Sequence, residues 1–290
     1  MLDALARRGG GRLGGRVLAF GSQPRSMVLP SGEAIDVRAL ETITPDDVAG
    51  AHVVHLAYLT KEKAEQLGER AFTDGNLAID DALLSALRGA RPASLFVASS
   101  GAAAQAAQGL ERHPYAMAKL RQEARFLEWA AITGVPMIAG RIFNIAGPFI
   151  NKLQSYAISD FALQAHERGE IHIQAKVPVF RSYLHVGDLC ALVIDAALRG
   201  LRRDRAIDLC GAEVVEMEEI AALVADALPN TPAISRGSVD HARASIYVGN
   251  HADTKTLAME LGNQLFSLRV QVSDMLTWLE SANLSQQPGR

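Results

Sequence analysis

Short apolar runs alternate along this chain with longer stretches whose apolar residues recur at helical spacing. Segments 17–20, 53–56, 95–98 and 140–146 read as strands, short and nearly continuous in their apolar character. Between them, 61–88 reads as one long helix carrying Leu77, Leu83, Leu84 and Leu87. Residues 115–133 read as a second, with Phe126 and Trp129 suited to helix packing. Residues 1–8 (MLDALARR) are also helical in character, so the chain opens on a helix. Strands alternating with helices predict an α/β fold with a parallel sheet. Beyond Pro148 the pattern changes. Segments 149–183 and 211–290 predict a smaller C-terminal α/β lobe, leaving 1–148 plus 184–210 as the main domain. No internal repeat and no linker rich in Pro, Gly or Ser divides them further.

Composition narrows the functional classes. The 290 residues carry a formal net charge of −3 with both signs interspersed, which gives no electrostatic footprint for nucleic acid or an acidic membrane. The basic cluster at 199–205 reads as a solvated helix end. Cys190 and Cys210 sit in apolar segments and read as buried thiols, too few for a metal site. No apolar run approaches the ~20 residues of a membrane span and no signal peptide is visible, so the expectation is a cytoplasmic protein.

The chemistry concentrates in FVASSG…HPYAMAK. Tyr115 and Lys119 are four residues apart and share one helix face, while the apolar run at 95–98 delivers Ser100 to a strand tip. A phenol is normally protonated, with a pKa of about 10, but a neighbouring ammonium favours its phenolate. Tyr115 can then give and take a proton near neutral pH, with Ser100 donating a hydrogen bond to the same oxygen. That outlines a hydride-transfer site.

Three further segments and one residue fall in order around this one: HLAYLT at 55–60 with Asn76, RIFNIAGP at 141–148, and RSYLHVGDL at 181–189. Together they resemble the extended short-chain dehydrogenase/reductase family of nucleotide-sugar epimerases, dehydratases and 4-ketoreductases, over about residues 16 to 280. The resemblance implies a Rossmann-like doubly wound parallel sheet, and catalytic roles for Ser100, Tyr115 and Lys119. It implies cofactor contacts from Asp36, Val37, Leu56, Ala57, Tyr58, Asn76, Ser99 and Phe143 as well as from Tyr115 and Lys119. Substrate contacts fall to Ser100, Asn144, Arg181 and Lys152, with Tyr156, Arg243 and Asp253 as weaker candidates. Plainer readings stand beside several of these: an exposed mid-helix Asn76, a strand-capping Asn144 and a surface Arg181. Asp188 reads as a helix N-cap and His185 as a packed residue. The family's two-helix packing implies a homodimer through 61–88 and 115–133.

Family dehydratases place an acidic pair directly after the catalytic hydroxyl residue. Here those positions are Gly101 and Ala102, neither of which can move a proton. Epimerisation or 4-keto reduction of a nucleotide sugar is therefore the expected reaction.

The N-terminus departs from the pattern. A dinucleotide-binding domain opens with strand, glycine turn and helix. Gly9, Gly11 and Gly14 spell G-x-G-x-x-G, but they follow a helix and precede a strand. Asp36 resembles the family's acidic residue that closes the third strand against the adenine, so 17–20 suits the second strand and the first strand with its phosphate loop is missing. A misassigned start or a truncated chain, a degenerate non-catalytic relative that binds nucleotide sugar without turnover, and a rearranged N-terminus all account for this. The cofactor expected from the resemblance is NAD. NADP stays open, because Arg25 suits a 2′-phosphate and no acidic residue lies at 21–25.

Overall fold

The computed structural model describes residues 1–11, 13 and 17–281; Gly14 and the tail SQQPGR, expected to fray, lie outside them. The chain divides into two compact units, Met1–Ile142 with Cys190–Ile207, and Phe143–Leu189 with Asp208–Arg290. The boundaries expected at 148, 184 and 210 fall instead at 142, 190 and 207.

The first unit opens with α1 (Leu2–Arg8), β1 (Ala19–Gly21), β2 (Arg25–Val28) and β3 (Ala34–Ala39). β1 pairs parallel with β3, Ala19 opposite Val37, and β2 pairs antiparallel on the other side of β3. Helix α1 packs Ala6 against Leu29 and Ile35 of this small sheet. Its Arg8 donates 2.8 Å to Asp195. Next come α2 (Pro45–Val48), started by Pro45 and a Thr44–Asp47 capping box, and β4 (His52–His55).

The expected helix at 61–88 is two helices, α3 (Lys61–Leu67) and α4 (Glu69–Gly89). Gly68 separates them at φ 77°, a left-handed conformation that ends a helix and favours glycine. The unit continues with β5 (Ser94–Ser100), α5 (Gly101–Ala107), α6 (Pro114–Thr133) and β6 (Met137–Ile142). β4, β5 and β6 form a parallel sheet, with His52 opposite Ser94 and Ser99 opposite Arg141. β5 is buried on both faces, as the middle strand of a parallel sheet is. Phe126 of α6 is core beneath it, together with Leu83, Leu87, Val97 and Met137. No ladder joins β1 to β4. The parallel strands of this unit therefore lie in two sheets, where a complete doubly wound domain holds them in one.

The strand expected over 140–146 is also broken. β6 ends at Ile142, and β7 (Asn144–Ala146) belongs to the second unit. There it pairs parallel with β9 (Val179–His185), after α7 (Ala157–Arg168) and β8 (Glu170–Ile173). α8 (Val186–Leu198) and β10 (Ile207–Leu209) cross the unit boundary. β11 (Val214–Glu216), α9 (Met217–Asp226), β12 (Ala233–Arg236), β13 (Ser245–Tyr247), α10 (His251–Leu261) and α11 (Leu268–Ser281) complete the second unit. β9 is its hub: β11 lies antiparallel on one edge and β13 parallel on the other, while β7 pairs parallel with its C-terminal residues 183–185. Ile158, Phe161, Ile171, Ile220, Val272 and Met275 form its core.

Among the described residues, no helix is long and apolar enough to cross a membrane, and no cluster of His, Cys, Asp and Glu could hold a metal ion.

Candidate active site

β5 carries Ser99 and Ser100 to its C-terminal end, where α5 begins. Ser100 caps that helix, its Oγ accepting from the Ala102 N–H at 3.2 Å. The bond uses the oxygen as acceptor and leaves the hydroxyl proton to be donated elsewhere. α6 starts nearby. His113 Nδ1 accepts the Tyr115 N–H at 3.1 Å and Pro114 occupies the first turn, so Tyr115 enters the helix at a fixed place.

One turn later Lys119 is buried, only 4 % exposed. Its Nζ donates 2.7 Å to the Ala98 carbonyl of β5 and 2.9 Å to Gln122 Oε1. The Tyr58 ring lies against it, 3.6 Å from Nζ to the centroid. Tyr58 meets the Tyr115 ring edge-on at 6.2 Å. Burial pulls the Lys119 ammonium down to about 7, while the charges of Asp80 and Glu123 resist the fall. Burial raises the Tyr58 phenol, helped by Asp80 and Tyr115, so Tyr58 is a neutral ring under a cation.

Asn76 is not an exposed mid-helix residue. It is buried on α4, where its Oδ1 accepts the Leu59 N–H at 2.9 Å and its Nδ2 donates 3.0 Å to the Phe72 carbonyl. It thereby fixes the loop carrying Leu56, Ala57 and Tyr58. Leu56 is exposed, and Ala57 is half-buried.

Ser99 is buried and points its hydroxyl at Glu123. Arg141 clamps the same carboxylate from β6 with two bonds of 2.9 and 2.8 Å. Asp36 and Val37 belong to the β1–β3–β2 sheet; Val37 is buried, and Asp36 accepts from Ser26. The structure thus brings Tyr58, Asn76, Tyr115 and Lys119 together at the end of β5 and leaves Asp36 and Val37 in a separate sheet.

In the second unit, Phe143, Asn144 and Arg181 gather around β13. Phe143 packs on Tyr247 at 5.0 Å, and Asn144 Nδ2 donates to the Ser182 and Tyr247 carbonyls. Arg181 is half-buried and donates to the Phe180 and Ser245 carbonyls. Burial lowers its guanidinium, against the pull of Tyr183 and Tyr247. Lys152 is half-buried before the 3-10 turn Leu153–Ser155, and Tyr156 precedes α7. Asp188 is not an N-cap: it lies inside α8 and accepts the Phe266 N–H at 2.8 Å. His185 is packed, held by Asp274 at 2.9 Å and edge-on to Phe266. Arg243 pairs with Asp240, and Asp253 accepts the Asp208 N–H. Gly9 closes α1 rather than opening a helix.

Sequence reasoning missed the polar residues behind Lys119. Asp80 accepts 2.7 Å from Gln122 Nε2 and 3.3 Å from His55 Nε2, all three buried. Their signal was present: Asn76 and Asp80 fall on the apolar stripe of α4 that holds Phe72, Leu83 and Leu87.

Residues 21–209 match the NAD dependent epimerase/dehydratase family. Solved structures share the fold at low identity. TunA, an NAD-dependent NDP-hexosamine 5,6-dehydratase involved in tunicamycin biosynthesis, is 16% identical over 97% of this chain and 93% of its own, with a TM-score of 0.73. MoeE5, solved with UDP-glucose and NAD, is 22% identical over 97% and 95%, TM-score 0.69. UDP-N-acetylglucosamine 4-epimerase from Bacillus cereus is 16% identical over 99% and 95%, TM-score 0.68. No curated protein matches the chain.

Proposed function

The chain belongs to the NAD dependent epimerase/dehydratase family, and from that premise we propose that it converts a nucleotide sugar by hydride transfer, as an epimerase or a 4-ketoreductase. The observation that carries this reading is the buried Lys119 ammonium, set between the end of β5 and the Tyr58 and Tyr115 rings. NAD, when bound, takes up and returns the hydride; NADP is the alternative, with Arg25 toward its 2′-phosphate. Tyr115 is the proton donor and acceptor at the sugar oxygen. Lys119 holds ribose hydroxyls and biases Tyr115 toward phenolate. Ser100, whose oxygen is already used by Ala102, donates its proton to the reacting oxygen.

In this reading the first unit takes the dinucleotide and the second the sugar nucleotide, apart from Phe143, a cofactor contact that belongs to the second unit. Asp36, Val37, Leu56, Ala57, Tyr58, Asn76, Ser99 and Phe143 contact the cofactor, and Asn144, Lys152 and Arg181 the substrate. The donor set fits the nicotinamide–ribose end. Among the described residues no strand, glycine turn and helix follow one another as a pyrophosphate cradle does, and no residue is assigned to that part. Gly101 and Ala102 after Ser100 supply no acid or base for dehydration. A cytoplasmic homodimer joined through 61–88 and 115–133 belongs to the same proposal.

A second reading, nucleotide-sugar binding without turnover, draws on the separation of β1–β3 from β4–β5–β6 into two ladders. Titration with NADH and NADPH, then turnover of UDP-, dTDP-, GDP- and CDP-sugars, separates the two. The catalytic reading expects Lys119→Ala to weaken cofactor binding about tenfold or more. It expects Tyr115→Phe to cut turnover by about 10²-fold or more. Undiminished turnover in Tyr115→Phe would remove the catalytic assignment. Binding of a nucleotide sugar without any turnover favours the second reading.

A further inference from the structure

Behind Lys119 lies a line of buried polar side chains that neither proton transfer nor substrate binding uses. Gln122 is 1 % exposed and Asp80 3 %. They come from different helices, α6 and α4, and meet through a 2.7 Å bond from Gln122 Nε2 to Asp80 Oδ1. Gln122 Oε1 is then the group that accepts Lys119 Nζ at 2.9 Å.

The direction of this line is dictated by chemistry. An amide can present either its oxygen or its NH₂ to a neighbour, and only the oxygen can receive an ammonium. An ionised carboxylate accepts and never donates. Asp80 therefore draws the Gln122 NH₂ toward itself and turns the carbonyl to Lys119. Reversing the amide would set NH₂ against ammonium at one end and carbonyl against carboxylate at the other. Asp80 also meets His55 Nε2 at 3.3 Å through the same Oδ1, and its Oδ2 lies 3.6 Å from the Arg125 guanidinium.

We propose that Asp80, acting through the Gln122 amide, is the positioning residue for the Lys119 ammonium. This deepens the reading of Lys119 given above and rests on it for its consequence in catalysis. Glu123 on α6 is clamped by Arg141 of β6 and by Ser99 of β5. Tyr58 lies under the ammonium and touches Tyr115, and Asp80 stands on α4 between His55 and Arg125. Arg121 of α6 lies near enough to Tyr58 to oppose the rise of its phenol. With Glu123 committed to Arg141, Asp80 is the carboxylate whose hydrogen bond leads to Lys119.

The test needs neither cofactor nor turnover. Lys119 is one of six lysines, so the full chain labelled at lysine Cε can be titrated by NMR, with Lys119→Arg identifying its signal. The wild-type midpoint is expected near 7. Asp80→Asn and Gln122→Met are each expected to lower it by about one pH unit, a tenfold loss of proton affinity. The double variant should lower it little further, because both substitutions cut one line. Gln122→Glu, which sets a carboxylate directly on Lys119, should raise the midpoint above wild type. If folded Gln122→Met keeps the wild-type midpoint, the proposal is overturned, and this variant decides alone should Asp80→Asn fail to fold. A chain that binds no cofactor but shows these shifts would refute the reaction proposed above and leave the positioning role standing.

Discussion

The Lys119 ammonium and the Tyr58 ring face one another at 3.6 Å, a cation on the face of a neutral phenol with little water between them. The sequence places a bulky aromatic directly after Ala57, in the loop that Asn76 ties to α4. A desolvated cation–π contact is worth about 2 kcal/mol. Tyr58→Phe keeps the ring and should retain most of that stabilisation. Tyr58→Leu keeps apolar bulk but loses the ring's negative face, and at pH 6 should be about 1–2 kcal/mol less stable than Tyr58→Phe in urea. The gap should close at pH 9.5, where Lys119 is neutral. Equal stability of the two variants at pH 6 would show that the ring acts by bulk alone.

Lys119 also makes stability depend on pH in a definite direction. Its ammonium is held at about 7 in the fold against 10.5 ordinarily, because burial disfavours the charge. Below pH 7 the folded and unfolded chains both carry the proton, and the full penalty of burying the charge stands. From 7 to 10.5 the unfolded chain binds more protons than the folded one, so rising pH favours folding. Relative to Lys119→Met, the wild type should gain up to ~1.4 kcal/mol per pH unit across that window. Urea unfolding of both proteins at pH 6, 8 and 9.5 measures it, and a constant difference would mean that Lys119 titrates normally.

Beside this line, Arg141 and Glu123 form an ion pair whose carboxylate is 2 % exposed. The parallel register sets Ser99 opposite Arg141, so β5 and β6 jointly present a hydroxyl and a guanidinium to one carboxylate of α6. Arg141→Ala strips a buried carboxylate of its two guanidinium bonds and should cost about 3–5 kcal/mol. Arg141→Met combined with Glu123→Gln removes both charges and should recover most of that loss. Thermal or urea unfolding of the single and double variants decides it; equal losses in both would argue that the hydrogen-bonded pair itself contributes the stability, rather than the unpaired carboxylate costing it.

The Tyr115–Lys119 face and the placement of Ser100 at a strand tip were legible from spacing, since four residues in a helix and the end of an apolar run are local properties. Asp80, Gln122 and Arg141 were not, because each acquires its role from a partner on another element. Asp80 had a local trace, a carboxylate on the apolar stripe of α4, but nothing local says which helix will face it. The break at Gly68 was readable as a glycine within a helical pattern; only its left-handed φ made it a terminator. The division of 140–146 was hidden for the opposite reason. Arg141 and Asn144 interrupt an otherwise apolar run without marking a turn, and no periodicity tells that the residues after Phe143 pair with β9 instead of extending β6.

In the second unit, Gly211 is required by close approach, not by a left-handed backbone. A Cβ there would sit 2.0 Å from the Tyr183 carbonyl oxygen and 2.7 Å from its carbon. These are backbone atoms of β9, the strand that carries every ladder of the sheet, so the neighbour cannot swing aside as a side chain would. The same carbonyl accepts 2.9 Å from Gln271 Nε2, and Gln271 Oε1 already has no partner. Moving Tyr183 to admit a methyl would also break that bond and leave Gln271 Nε2 to its longer 3.2 Å bond with the Phe266 carbonyl, at about 1 kcal/mol beyond the overpacking itself. Gly211→Ala should therefore lose at least ~3 kcal/mol. Gly237 is the control: nothing lies within 4 Å of its Cβ position, and Gly237→Ala should be neutral or gain up to about 1 kcal/mol by restricting the unfolded chain. Urea midpoints of the two variants, measured side by side, give the answer. Gly211→Ala unfolding within about 1 kcal/mol of Gly237→Ala would mean that β9 yields where the packing says it is fixed.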